Sequence, residues 1–164
     1  MIIHIKNKDT LIVKEFKFKC IVGKRGIKKN KVEGDFCTPS GKFKIGKLYW
    51  RPDRVNLPKT KLSTKKIKKN MGWCNDSRSK KYNREINFPF KYSAEKLFRK
   101  DKFYDIFINI KYNQNPVRKG KGSAIFLHLT NKKYKPTKGC IAVLKKDLLK
   151  IIPLIDKKTK ISIT

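Results

Sequence analysis

Carboxylates are scarce in this chain: 12 Asp and Glu stand against 44 Lys and Arg in 164 residues, for a formal net charge of +32. Such a field steers polyanions and disfavours cationic macromolecules as partners. The lysines nevertheless run from Lys6 to Lys160 without forming one block or alternating with the aromatics of an RNA-reading sheet, so they read as a solvated surface. Nucleic acid is electrostatically possible as a partner and is not the favoured one. Histidine is scarcer still. His4 and His128 are the whole supply, and Cys20, Cys37, Cys74 and Cys140 show neither a CxxC pair nor metal-ligand spacing, so no zinc site, no other metal and no cofactor is expected. The chain needs no disulfide at this length.

Long apolar runs are also missing. No segment approaches the roughly 18 to 20 residues of a membrane span, and the opening MIIHIKNKDTLIV, broken by His4, Lys6, Asn7 and Lys8, does not read as a signal peptide. No internal repeat is apparent. Residues 59 to 70 are lysine-rich and polar around Leu62 and Ile67; they read as exposed loop and not as a linker, so residues 1 to 164 are expected to form one domain.

Short β-rich runs dominate what is present. Residues 2 to 5 and 10 to 13 flank the turn Asn7, Lys8 and Asp9 as a hairpin, and Phe16, Phe18 and Cys20 alternate with Lys17 and Lys19 as a half-buried strand. In VEGDFCTPSGKFKIG, Val32 to Gly46, Pro39 and Gly41 suit a turn feeding a strand with Phe43 and Ile45 on one face; Thr38 and Pro39 are assigned no chemistry. Ala94 to Phe98 reads as a short helix, and Asp105 to Ile110 as a strand covered on both faces. Asp147 opens a helix with Leu148, Ile151, Ile152 and Ile155 at i, i+3, i+4, i+7 spacing, which Pro153 kinks or ends. Ile161 and Ile163 close the chain as a strand.

Chemistry concentrates in SAIFLHLTNKKYKPTKGCIAV, Ser123 to Val143. Two strands joined by a loop would bring His128 and Cys140 together, with Ala124, Phe126 and His128 on one face and Cys140 and Ala142 on a face that can coincide with it. A thiolate attacks and an imidazole generates it and returns the proton. The plain alternative is a buried cysteine and an incidental histidine. Gly139 favours the first reading, because it lets the backbone approach a carbonyl and places the Gly139 and Cys140 amides toward an oxyanion. Cys74 is the rival nucleophile, but its neighbours Asn75 and Asp76 would not lower a thiol pKa.

Thr137, Gly139 and Cys140 after the strand-borne His128 resemble the signature of the L,D-transpeptidase catalytic domain, the YkuD-type family. Thr38, Pro39, Ser40, Gly41, Lys42 and Phe43 are similar to a turn of that family. Trp73, Cys74, Asp76, Arg78, Tyr82 and Asn83 match a segment of the branch that lacks the usual arginine two residues after the nucleophile. Here Ala142 occupies the arginine position, Lys138 stands where a second histidine is common, Asn75 departs conservatively, and the gap from His128 to the motif is short.

The resemblance implies a mainly β fold, an L,D-transpeptidase-like β-sandwich of mixed sheets with one or two short helices. It further implies cysteine-dependent acyl transfer on peptidoglycan stem peptides in the bacterial cell envelope or periplasm. Cys140 would be the nucleophile and His128 its base, held by a backbone carbonyl. Because Ala142 leaves carboxylate recognition to other residues, Arg78, then Arg51 and Arg54, are the candidates, since a guanidinium fork grips a carboxylate bidentately. Trp73, Asp76, Tyr82, Asn83, Tyr112, Asn113 and Thr137 complete the expected substrate wall. Two other readings stay open: a muropeptide carboxypeptidase or amidase using the same pair, and a non-catalytic basic module for nucleic acid or an anionic wall polymer.

Overall fold

The computed structural model describes residues 1–164. Fourteen strands succeed one another: β1 (Ile2–Lys6), β2 (Thr10–Val13), β3 (Phe16–Ile21), β4 (Ile27–Lys28), β5 (Thr38–Pro39), β6 (Gly41–Trp50), β7 (Thr64–Lys66), β8 (Met71–Cys74), β9 (Glu85–Asn87), β10 (Ala94–Lys96), β11 (Ile106–Ile110), β12 (Phe126–Thr130), β13 (Ile141–Leu144) and β14 (Lys160–Ile163). The single α-helix, α1 (Lys145–Ile151), precedes β14 and passes into a 3-10 turn at Ile152–Leu154. The fold is thus mainly β with mixed sheets.

The large sheet runs β11-β12-β13-β3-β2-β1-β14-β6-β7, and β6 also pairs with β11, so eight of its strands close into a barrel with β7 appended. Closure depends on the ten-residue β6. Its first half pairs with β14 (Ile161 opposite Phe43) and its second with β11 (Ile106 opposite Trp50), which leaves no free edge at that seam. Alternation supplies the interior. Ile3, Ile5, Leu11, Val13, Ile108, Leu127 and Ile163 belong to one buried cluster, joined by Leu148, Ile151, Ile152 and Ile155 from the helix and the turn after it.

A second layer lies outside the barrel. The sheet β10-β8-β9 shares a separate cluster with the outward residues of β6, β11 and β12: Tyr49, Trp73, Leu97, Tyr104, Phe107, Phe126 and Cys140. Tyr49 stacks on Phe107 at 4.8 Å, and Phe126 meets Phe107 at 4.5 Å and the Trp73 edge at 5.2 Å. The alternating residues of β12 therefore serve two cores, Leu127 and Leu129 inward and Phe126 outward.

Two expected elements differ. Of residues 94 to 98, Ala94–Lys96 form strand β10, with Ala94 opposite Cys74 and Lys96 opposite Gly72, and no helix forms. Five residues cannot sustain a helix alone, and pairing to β8 satisfies their backbone instead. The stretch 59 to 70 carries β7, where Leu48 faces Thr64, and its lone apolar residues Leu62 and Ile67 are both buried. Elsewhere Phe16, at the start of β3, is exposed while Cys20 is buried.

Candidate active site

Strands β12 and β13 run parallel, with His128 opposite Ala142. Cys140 precedes Ala142 by two residues, so its side chain shares the outward face with that of His128, one step along the ladder. Its sulfur receives the Phe126 N–H at 3.4 Å and donates to the Ala124 carbonyl at 3.1 Å. Both residues are buried to about nine-tenths and line a 740 Å³ cavity together with Glu33, Glu95, Arg99, Tyr104, Thr137, Lys138 and Gly139.

The imidazole is fixed through its Nδ1, 2.8 Å from the Leu129 carbonyl oxygen. A carbonyl only accepts, so Nδ1 carries the proton and Nε2 keeps its lone pair for the cavity. Burial holds the His128 pKa down at about 4 and pushes the Cys140 thiol up to about 12. The resting pair is neutral thiol beside neutral imidazole. The Glu95 charge raises the thiol further, while the hydrogen bond from the Phe126 N–H and the Lys31 charge favour the thiolate.

The turn before Cys140 is tied on every side. Thr137 Oγ1 donates to the Cys140 carbonyl at 2.6 Å and accepts the Gly139 N–H at 3.1 Å. Thr38 Oγ1 donates to the Gly139 carbonyl at 2.8 Å while accepting the Gly23 N–H at 2.8 Å. Gly139 has φ +140°, and a Cβ there would lie 2.8 Å from the Cys37 carbonyl oxygen, so only glycine fits without strain. The Gly139 N–H, one of the two expected oxyanion donors, is held by Thr137 Oγ1.

The expected substrate wall divides. Thr137 joins Cys140, His128 and Gly139 at the cavity. Arg51, Arg54 and Arg78 do not line it, because each guanidinium is engaged elsewhere. Arg51 grips Asp53 at 2.6 and 2.8 Å and covers the Phe98 ring, Arg54 binds Asp105 at 2.9 Å, and Arg78 forks onto Asp76 at 2.7 and 2.9 Å.

Trp73, Tyr82, Asn83, Tyr112 and Asn113 likewise lie behind the cavity and not on its lining, where they support it. Asn83 Oδ1 accepts from Trp73 Nε1 at 2.9 Å and from the Ala124 N–H at 3.1 Å, and its Nδ2 donates to the Tyr112 and Asn113 carbonyls. Tyr82 donates to Glu33 and accepts the Gly122 N–H. The network fixes the segment whose Ala124 carbonyl receives the Cys140 thiol.

The sequence reading missed Thr38, Glu95, Tyr104, Arg99 and the buried Lys31. Thr38 alone had a signal, its place in the TPSG turn. Glu95, Arg99 and Tyr104 reach the cavity through tertiary contacts that periodicity does not disclose. Lys31 donates to Asp35 at 2.7 Å behind Gly139. The cations that do line the cavity are Arg99, Lys135 and Lys138.

The chain is thus a mixed β-barrel with a histidine on one strand and, just before the adjacent parallel strand, a cysteine directly preceded by a glycine turn. The chain belongs to the YkuD family, the L,D-transpeptidase catalytic domain, whose model matches residues 2–163. Among solved structures it is similar to the helical cell shape determining protein Pgp2 from Campylobacter jejuni and to a point variant of it, each at 17% identity and a TM-score of 0.53. Each match covers 99% of this chain and 46% of the other, so the chain spans about half the length of those proteins. Comparison with curated proteins finds no match. No helix is long and apolar enough to cross a membrane.

Proposed function

We propose that the chain performs cysteine-dependent acyl transfer on peptidoglycan stem peptides, in cell-wall cross-linking or remodelling. The observation that carries this reading is the shared lining of one cavity by Cys140 and His128, with Nδ1 of the imidazole committed to Leu129 and Nε2 free. Membership of the L,D-transpeptidase family supports it.

The Cys140 proton passes to Nε2 of His128 as the sulfur attacks a stem-peptide carbonyl. The Cys140 N–H takes the developing oxyanion, and the imidazolium then protonates the departing amine as the thioester forms. An amine of a second stem, or water, attacks the thioester, His128 removes its proton and returns it to sulfur, and the thiol is restored. With Arg99 forked onto Asp101, Lys135 and Lys138 are the cavity cations positioned to hold a stem-peptide carboxylate, the task that Ala142 leaves vacant.

The test is mass spectrometry of products from a defined tetrapeptide, with and without an amine acceptor. Wild-type protein yields a cross-linked product when acceptor is present, and Cys140→Ala yields none. Product unchanged in Cys140→Ala would remove the nucleophile from this scheme. Hydrolysed peptide alone, with acceptor in excess, would establish the carboxypeptidase reading instead.

A further inference from the structure

The turn just before β5 has no part in that scheme, yet it forms one wall of the cavity. Glu33, Gly34 and Phe36 line the cavity, and Asp35 is buried behind them. Asp35 holds the turn: its carboxylate accepts from Lys31 Nζ at 2.7 Å, from the Val32 N–H at 2.9 Å and from the Cys37 N–H at 3.0 Å. Phe36 is thereby kept at φ 58°, a conformation costly for a bulky residue and concentrated at ligand sites. Its side chain stays exposed. A Cβ at Gly34 would meet no atom within 4 Å, so the wall is open to solvent at this point.

Glu33 is exposed but anchored, and by one oxygen only. Its Oε2 accepts from the Tyr82 hydroxyl and from Ser123 Oγ, the latter at 2.7 Å, and both donors are buried. Tyr82 is fixed in turn by the Gly122 N–H at 2.9 Å. Ser123 adjoins Ala124, whose carbonyl receives the Cys140 thiol, so the carboxylate is tied to the segment that faces the nucleophile. Oε1 has no hydrogen-bond partner, and Glu33 takes part in none of the ion pairs of the chain. Lys31, two residues earlier, is committed to Asp35. An anchored carboxylate with one oxygen free is a receptor for a cationic donor. With a net charge of +32, the surface at large repels an ammonium group, and a fixed carboxylate is what can localise one.

We propose that Glu33 and Phe36 form the acceptor subsite of the cavity: the carboxylate takes the primary ammonium group of the second stem, and the Phe36 ring covers the alkyl chain that carries it. The subsite rests on the acyl-transfer reading, in which an amine attacks the thioester. Lys135 and Lys138, on another segment of the lining, serve the carboxylate of the first stem, so charge sorts the two peptides. Glu33 changes no covalent bond. The ammonium sheds one proton to water, its nitrogen attacks the thioester carbonyl, and His128 carries a second proton to the departing sulfur, which leaves amide, thiol and one free proton.

Lysine blocked at its α-amine and carboxyl presents a primary ammonium on an alkyl chain and probes the subsite without any stem peptide. Titrated into isotopically labelled protein, it should shift the Gly34 and Ser123 amide resonances, and its side-chain-acetylated form should not. Glu33→Gln keeps an acceptor for Tyr82 and Ser123 but removes the charge. It should weaken binding of the blocked lysine roughly fivefold, the upper range for an exposed ion pair. In tetrapeptide reactions the same compound competes with water for the thioester. Glu33→Gln should lower the ratio of aminolysis to hydrolysis by a similar factor, and leave it unchanged for methoxyamine, which is uncharged at neutral pH. Phe36→Ala should lower the ratio for blocked lysine and not for ammonia, which has the charge without the chain.

A ratio unmoved in Glu33→Gln would overturn the subsite. So would a fall of equal size for methoxyamine, which would make Glu33 a support for the wall and not a ligand to the amine. An unchanged ratio for blocked lysine in Phe36→Ala would remove the ring from the subsite. Melting curves check that the variants keep the fold. The comparison of free with acetylated lysine on wild type needs no variant, and equal shifts for the two would overturn the subsite by itself. Binding that depends on Glu33, with no product from the tetrapeptide, would count against the acyl-transfer reading alone.

Discussion

At the scale of single residues, the ionisation of Cys140 and His128 is set by where the chain puts them more than by the pair itself. His128 is held neutral by burial, its pKa down at about 4 from an ordinary 6.5. A depressed folded-state value means that the unfolded chain binds the proton more readily, so the associated stability is present above pH 6.5 and is lost as pH falls from 6.5 through 4. The shift corresponds to roughly 3 kcal/mol on the scale of 1.36 kcal/mol per unit. His128→Gln should therefore flatten this part of the stability curve, and chemical denaturation of both proteins at pH 7, 5.5 and 4 measures the difference. Parallel curves for the two would show that His128 does not titrate differently on folding. In the active site the same substitution removes the base and should lower turnover by about 10²- to 10⁴-fold.

At the scale of elements, the segment Trp73 to Asn83 acts by holding the strand that holds the cysteine. Asn83 closes four hydrogen bonds among Trp73, Tyr112, Asn113 and Ala124. Asn83→Ala would leave two buried donors unpaired, at about 1–3 kcal/mol each. Because Ala124 supplies the carbonyl opposite the thiol, turnover should fall more than KM rises; a change confined to KM would return Asn83 to the substrate wall. The strands that carry His128 and Cys140 were legible because their apolar residues alternate, and the register of β12 on β13 preserves that parity. Gly139 was legible as a close-approach glycine. What stayed hidden shares one cause. Arg78 resembled a carboxylate clamp, yet Asp76 two residues away occupies its fork, and local ion pairs of this kind win by proximity. Glu95 looked like part of a weak helix. Only the pairing of β10 with β8, a contact about twenty residues distant in sequence, points it at Tyr104 and the cavity. The aromatic layer over β11 and β12 likewise depends on β6 and β8 meeting outside the barrel, which no periodicity within one strand reveals.

At the scale of the whole molecule, the charge that composition makes so prominent plays against the fold. With 44 basic and 12 acidic side chains, complete pairing would still leave 32 cations, and their mutual repulsion is relieved by unfolding. Salt has two opposed effects. It weakens ion pairs such as Lys65–Glu85 and Arg78–Asp76, whose exposed examples contribute about 0–1 kcal/mol each. It also screens the repulsion, with a Debye length falling from about 30 Å at 0.01 M to about 8 Å at 0.15 M. The second effect reaches across the entire surface while the first is confined to a few contacts, so the melting temperature should rise between these two salt concentrations. A fall would mean that the local pairs dominate. The same field predicts affinity for a polyanion such as heparin that drops steeply over this range and is equal for wild type and Cys140→Ala. If polyanion binding instead depended on Cys140, or competed with iodoacetamide for it at 0.15 M salt, the charge would be part of the cavity's chemistry; independence from Cys140 would assign it to the solvated lysines outside the cavity.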